Sequence, residues 1–128
     1  MKQPIRILLV EDNDVYRSSL ELLLGMYEGL AVVGSVIEGT AAAAAAVRLR
    51  ADVVLIDLRL PSGDGVEATA AVLAARPEAA VVCLTAEATD ADRAAVRAAG
   101  AVGLVEKGQP IEDLVAGVKR AAKERAGA

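Results

Sequence analysis

Four short apolar runs, Ile5–Val10, Ala31–Val36, Val53–Ile56 and Ala80–Leu84, have the length and β-branched content of strands, and a weaker fifth covers Val102–Val105. Two of the strong runs are almost wholly apolar rather than alternating, as parallel strands covered on both faces require. Helical signals follow each run. This β-α alternation, five times over, constrains the fold more than any other feature. It predicts a single α/β domain, a doubly wound five-stranded parallel sheet with right-handed crossovers and helices on both faces.

The helices carry their own signals. Val15, Ser19, Leu22, Leu23 and Met26 fall on one helical face, the apolar side expected for the first helix. Thr40 is placed to cap an alanine-rich helix running to about Leu49, with the six alanines 41–46 read as helix because alanine is the best helix former. Asp64 with Glu67 resembles a capping box, and Val66, Ala70, Leu73 and Ala74 form the expected buried stripe of the third helix, which Pro77 ends. Thr89 and Asp90 open the fourth helix and Gly100 closes it. Pro110 suits the first turn of the last helix, with Ile111, Leu114, Val115 and Val118 facing inward. The basic tail Lys119, Arg120, Lys123 and Arg125 reads as a solvated helix end.

Composition narrows the chemistry. The chain has 128 residues, enough for one domain with a real core, and carries a net charge of −4. That charge argues against unaided binding to DNA, which draws its affinity from neutralised phosphates. There is no histidine, so the commonest general base, any histidine metal site and any phosphohistidine carrier are excluded. Trp and Phe are absent, which removes stacking platforms for single-stranded nucleic acid. One cysteine forbids an internal disulfide, in keeping with a cytoplasmic protein, and Cys83 reads as a small core residue. No apolar run reaches the length of a membrane span, and the N-terminus lacks a signal-peptide layout.

Functional sites in parallel sheets lie outside the carboxyl ends of the strands. Strand one is followed by Glu11 and Asp12, strand three ends at Asp57, strand four at Thr85 and strand five at Lys107. The topology therefore gathers these five residues along one rim. Two carboxylates about 5 Å apart repel by roughly 3 kcal/mol at an effective dielectric near 20, so three together need a cation. An all-oxygen donor set with few protein ligands suits Mg²⁺. Lys107 adds a positive charge and Thr85 a hydroxyl donor. An anion held between metal and lysine is open to attack by an Asp57 oxygen, which is the inventory for phosphoryl transfer. Taken singly these residues have ordinary explanations: an acidic helix start, a strand-end hydroxyl, a surface lysine. Their joint placement at successive strand ends favours the site.

With those residues in place, the chain resembles a response-regulator receiver domain of two-component signalling, over nearly its whole length. The marks are "ILLVEDNDVYR", with Glu11 and Asp12; "VVLIDLRLPSGDGVEAT", with Asp57, Pro61 and Gly65; "VVCLTAE", with Thr85 and the small Ala86; and "GLVEKG", with Lys107. The wording "VVGSVIEG" and "DLRLPSGDGVEAT" is similar to the NarL-type branch, whose receivers usually precede a helix-turn-helix domain. The resemblance implies a flavodoxin-like, CheY-like sheet of order 2-1-3-4-5 spanning residues 1–128. It implies that Asp57 accepts a phosphoryl group from a sensor histidine kinase or a small phosphodonor. It implies Mg²⁺ held by Asp12, Asp57 and the backbone carbonyl of Arg59, with Glu11 acting partly through water. Lys107 would pair with the phosphoryl oxygens, Thr85 would hydrogen-bond them, and Ala86 would leave room. Arg59 and Glu87 would tune the lifetime of the phosphoryl group, and we expect them to pair across the site mouth. The protein would then be a phosphoaccepting signalling domain, catalysing only its own phosphorylation and dephosphorylation, in the cytoplasm.

Two positions depart from the family pattern. Leu104 stands in strand five where receivers often carry an inward-turning Tyr or Phe, which removes the aromatic half of the usual switch. Gly108, not Pro, follows Lys107, and a non-proline cis bond costs about 2.5–4 kcal/mol, so none is predicted there. Two rival readings remain. In the first, "LLVEDNDV" is the leading motif of a haloacid-dehalogenase-like phosphatase, with Asp12 as nucleophile and Asp14 as acid/base; this leaves Asp57 unexplained. In the second, the domain is a phosphorylation-independent interaction module. As a receiver, its partners would be a kinase docking near Asp14–Ser18 and the Gly108–Gln109 loop, a second copy on phosphorylation, and DNA only through an output domain outside this chain.

Overall fold

Each apolar run becomes a parallel strand: β1 (Ile5–Val10), β2 (Leu30–Val36), β3 (Val53–Asp57), β4 (Ala80–Thr85) and β5 (Gly103–Glu106). The computed structural model describes residues 3–60 and 64–127, so Pro61 and Gly63 of the quoted motif lie outside the described residues. The sheet order is β2-β1-β3-β4-β5, the predicted flavodoxin-like arrangement. Every residue of β3 and β4 is buried, as their unbroken apolar runs demand, whereas the edge strands β2 and β5 are mostly half-buried. The weak fifth run holds as a strand, displaced by one residue.

Helices cover both faces. α2 (Ala42–Arg48), α3 (Gly65–Ala75) and α4 (Asp90–Ala98) pack on Leu8, Val10, Val54, Ile56, Val81 and Cys83. α1 (Asp14–Gly25) and α5 (Ile111–Gly127) pack on Ile7, Leu9, Val53, Leu55, Val82 and Leu84. Alternate residues of each central strand thus feed opposite cores. Among the described residues no peptide bond is cis, and no helix is long and apolar enough to cross a membrane.

Three helices sit differently from the pattern expected of them. In α1 the buried residues are Leu20 and Leu24 and Tyr16 is half-buried, while Val15 and Leu22 are exposed; just past its end Met26 is exposed and Tyr27 half-buried. The segment offers leucine at 20, 22, 23 and 24, so no single face stands out. The rotation is set instead at the helix start, where Asn13 Oδ1 accepts from Tyr16 N–H at 2.8 Å and Arg17 donates to the Glu11 carbonyl at 3.0 Å. Thr40 does not cap α2: a short 3₁₀ turn, Gly39–Ala41, leads into the helix and no side chain caps it. The buried stripe of α3 is Gly65, Ala68, Thr69 and Val72, with Ala70 and Ala74 exposed. Asp64 caps this helix, accepting from Glu67 N–H at 2.8 Å, but the Glu67 side chain does not return the bond that a capping box needs. Thr89 and Asp92 form a full capping box on α4, Gly100 closes that helix at φ 104°, and Leu114, Val115 and Val118 face inward on α5. Arg125 is not part of a solvated tail. It donates to the Glu78 carbonyl and to Asp52 Oδ1, both at 3.1 Å, and pins the end of α5 to the bottom of the sheet.

Gly65 links this packing to the rim. A Cβ there would lie 2.6 Å from the Asp57 carbonyl oxygen and 2.7 Å from Leu58 Cα, both backbone atoms that cannot yield cheaply. Gly65→Ala is therefore expected to destabilise the fold by roughly 2 kcal/mol through overpacking. Gly25→Ala, with nothing within 4 Å, is expected to be neutral or mildly stabilising. Urea unfolding of the two variants checks the contrast.

Candidate functional site at the carboxyl edge of the sheet

The rim brings its residues together as the strand ends predicted. Carboxylate oxygens of Glu11, Asp12 and Asp57 all lie within 4.8 Å of one another. Glu11 is 1% exposed and Asp57 4%, while Asp12 faces solvent. Lys107 Nζ approaches the pair from β5, at 2.7 Å from Glu11 Oε1 and 3.0 Å from Asp57 Oδ2. Lys107 N–H donates to the Thr85 carbonyl at 2.8 Å, so β4 fixes the backbone from which that ammonium hangs.

Backbone amides hold the two buried carboxylates. Glu11 Oε2 accepts from Asn13 N–H at 3.0 Å, and Asp57 Oδ1 accepts from Arg59 N–H at 2.9 Å. Burial, the largest influence, pushes the Glu11 carboxyl above its ordinary value; Lys107 and the Asn13 amide pull it down, and Asp57 adds to the rise. For Lys107, burial works to lower the affinity for its proton, but Glu11 and Asp57 outweigh it and raise the pKa.

Three carboxylates face one ammonium, which leaves the cluster short of positive charge. Glu11 Oε1 is buried with no hydrogen-bond donor, because Lys107 meets it as an ion pair outside hydrogen-bond geometry. Hard oxygen donors and an unsatisfied buried oxygen fit a small divalent cation. The Arg59 backbone adjoins the cluster through its amide, which donates to Asp57 Oδ1.

Thr85 is buried, and its hydroxyl donates to the Glu87 carbonyl at 3.3 Å, leaving it uncommitted to Asp57. The expected Arg59–Glu87 pair does not form. Arg59 instead meets both carboxylate oxygens of Asp92 at 3.1 Å, because the capping box of α4 turns Asp92 toward the β3 loop while Glu87 points to solvent. The Thr89 amide and then Arg59 hold the Asp92 carboxyl below its usual value. Half-buried Leu104 stands beside a groove of ≈ 310 Å³ lined also by Arg93, Val96 and Arg97.

Tyr16 belongs to the site, although sequence reasoning left it out: the Lys107 ammonium lies 4.7 Å from the centroid of its ring. The signal was its place one helical turn beyond the acidic pair. Asp14, the acid/base that the phosphatase alternative needs, is exposed and ion-paired with Arg17 at 2.5 Å, away from the cluster. Cys83 is buried beside Thr69, and burial pushes its thiol up to about 11, against a reactive role.

Comparison with known proteins bears on this geometry. A family model described as "Response regulator receiver domain" matches residues 7–119. Response regulator GacA of Pseudomonas aeruginosa is 34% identical over 116 residues, covering 91% of this chain and 54% of that protein. Response regulator UvrY of Escherichia coli is 30% identical over 115 residues, covering 90% of this chain and 53% of that protein. The signal receiver domain of the NarL response regulator from Mycobacterium tuberculosis superposes with a TM-score of 0.90 at 26% identity, covering 95% of this chain and 98% of that one. The chain thus spans about half the length of GacA and of UvrY.

Proposed function

We propose, because this chain belongs to the response regulator receiver family of two-component signalling, that Asp57 is its phosphoacceptor and that transfer depends on Mg²⁺. One observation carries the reading: a buried carboxylate at a strand end, gripped by a lysine and flanked by two further carboxylates.

Asp12, Asp57 and the Arg59 carbonyl would hold the metal, with Glu11 behind them. When bound, Mg²⁺ neutralises the cluster and charge on the phosphoryl group. The chain's own groups do the rest. An Asp57 oxygen attacks the phosphorus of a phosphohistidine or acyl phosphate, forming the O–P bond as the bond to the leaving group breaks. The Arg59 amide orients the Asp57 carboxylate. Lys107 shifts from the carboxylates to the phosphoryl oxygens, and Thr85, once it releases the Glu87 carbonyl, donates to them. Most of the catalysis is positioning and electrostatics.

A sensor histidine kinase is the proposed donor. A groove of ≈ 120 Å³ beside Lys107, bordered by Tyr16, Ser19, Leu23, Gln109, Pro110 and Ile111, supports docking of the kinase along α1, where exposed Val15 and Leu22 add apolar surface. Residues 1–128 would form one cytoplasmic receiver domain whose state is read by a partner, a second copy or a DNA-binding output in a longer regulator. It would work as a signalling domain rather than as an enzyme with its own external substrate. The test is incubation with acetyl phosphate and Mg²⁺, read by intact mass. A gain of one phosphoryl group, lost on chelation, is the expected result. No gain, or a gain indifferent to chelation, overturns the reading.

A further inference from the structure

We propose that Tyr16 is a positioning residue for phosphoryl transfer, its ring face holding the Lys107 ammonium over Asp57. The inference rests on the phosphoacceptor reading and deepens it. Lysine places its charge at the end of a flexible four-carbon stem, so the position of the ammonium depends on what Nζ meets. Gly108 and Gln109, which follow it, are exposed, and a Cβ at Gly108 would meet nothing within 4 Å. On the inner side Nζ meets Glu11 at 2.7 Å and Asp57 at 3.0 Å. On the outer side it meets the Tyr16 ring at 4.7 Å from the centroid, well inside the range at which a ring quadrupole attracts a cation.

The ring is itself a fixed surface. Tyr16 N–H is capped by Asn13, Arg17 ties the next residue to the Glu11 carbonyl, and the Tyr16 side chain packs against the core shared by α1 and α5. The helix that follows the acidic pair therefore carries the platform for the lysine. When the ammonium leaves the carboxylates for incoming phosphoryl oxygens, the ring keeps it on an arc above Asp57 and away from bulk water. Half-buried Tyr16 thus limits the disorder of the charged group on which the transfer depends.

The test compares Tyr16→Phe, which keeps the ring, with Tyr16→Leu, which keeps apolar bulk without a quadrupole. With acetyl phosphate and Mg²⁺, Tyr16→Phe should react within about twofold of the parent rate, and Tyr16→Leu about tenfold more slowly. In a Lys107→Met background, Tyr16→Leu should bring no further loss. Without metal or phosphodonor, the Lys107 ε-methylene protons should show an upfield ring-current shift by NMR in the parent and Tyr16→Phe, lost in Tyr16→Leu. A Tyr16→Leu rate equal to the parent's, a Tyr16→Phe rate as low as that of Tyr16→Leu, a further tenfold loss in the Lys107→Met background, or the absence of the shift would each overturn the proposal. Failure of the parent to gain any phosphoryl group would sink the phosphoacceptor reading instead, and the shift would then decide the contact alone.

Discussion

Asp57→Asn is expected to abolish phosphoryl uptake while leaving the fold intact. Asparagine keeps the side-chain oxygen that accepts from Arg59 N–H, so the loop after β3 retains its anchor. What is lost is the anionic nucleophile, for which an amide is no substitute. Two electrostatic changes oppose each other in stability: the ion pair with Lys107 disappears, and so does repulsion from Glu11 and Asp12. The unfolding midpoint should move by no more than about 4 °C, the shift that about 1 kcal/mol gives in a domain of this size. Acetyl phosphate and Mg²⁺ should then leave the mass of Asp57→Asn unchanged under conditions that convert the parent. Uptake at an undiminished rate would mean that another residue accepts the group.

Lys107→Met should reduce the transfer rate by about a hundredfold or more, the scale of losing one preorganised charge at a developing anion. It should also weaken the metal-free fold at neutral pH. Glu11 is 1% exposed, and removing its cation leaves a buried charge beside Asp57. Breaking a fully buried pair costs about 3–5 kcal/mol; because Lys107 is partly exposed, roughly 2 kcal/mol is the expected figure. The pH dependence follows from the sign of the Glu11 shift. Its folded pKa already lies above the ordinary carboxyl value, and loss of Lys107 pushes it higher. A carboxyl with a raised folded pKa gives stability that is present below its unfolded value and lost as pH rises through the folded one. The deficit of Lys107→Met should therefore be small near pH 4.5 and grow toward neutrality, and Mg²⁺ should recover part of it. Thermal melts across that range, with and without Mg²⁺, measure this. A deficit independent of pH would show that Lys107 stabilises by packing alone.

Strands and site residues were readable in the sequence for the same reason. A parallel strand buried on both faces must be apolar throughout, so the first polar residue after Val10 or Ile56 marks where the sheet ends. Once the strands are parallel, those ends share one edge, and Glu11, Asp12, Asp57 and Lys107 meet there without further information, with Thr85 at the end of the neighbouring strand. The rotation of α1 and α3 was not readable. Leucines at 20, 22, 23 and 24, and valine or alanine at most positions of α3, offer apolar faces in every direction. The cap at Asn13 with the Arg17 bond to the Glu11 carbonyl settles α1, and the tight approach of Gly65 to Asp57, a contact between two elements, settles α3. The partner of Arg59 was hidden likewise, because Asp92 lies 33 residues away and turns inward only through its capping role. Tyr16 escaped notice because an aromatic one turn into a helix reads as core until its neighbour is known to be a lysine.

The most direct measurement of the central claim is the identity of the modified residue. After reaction with acetyl phosphate and Mg²⁺, borohydride reduction converts an aspartyl phosphate to homoserine, and peptide mass mapping places it in the chain. The account predicts modification at position 57 alone, absent when Mg²⁺ is chelated. Modification at Asp12, or at no aspartate, would contradict it.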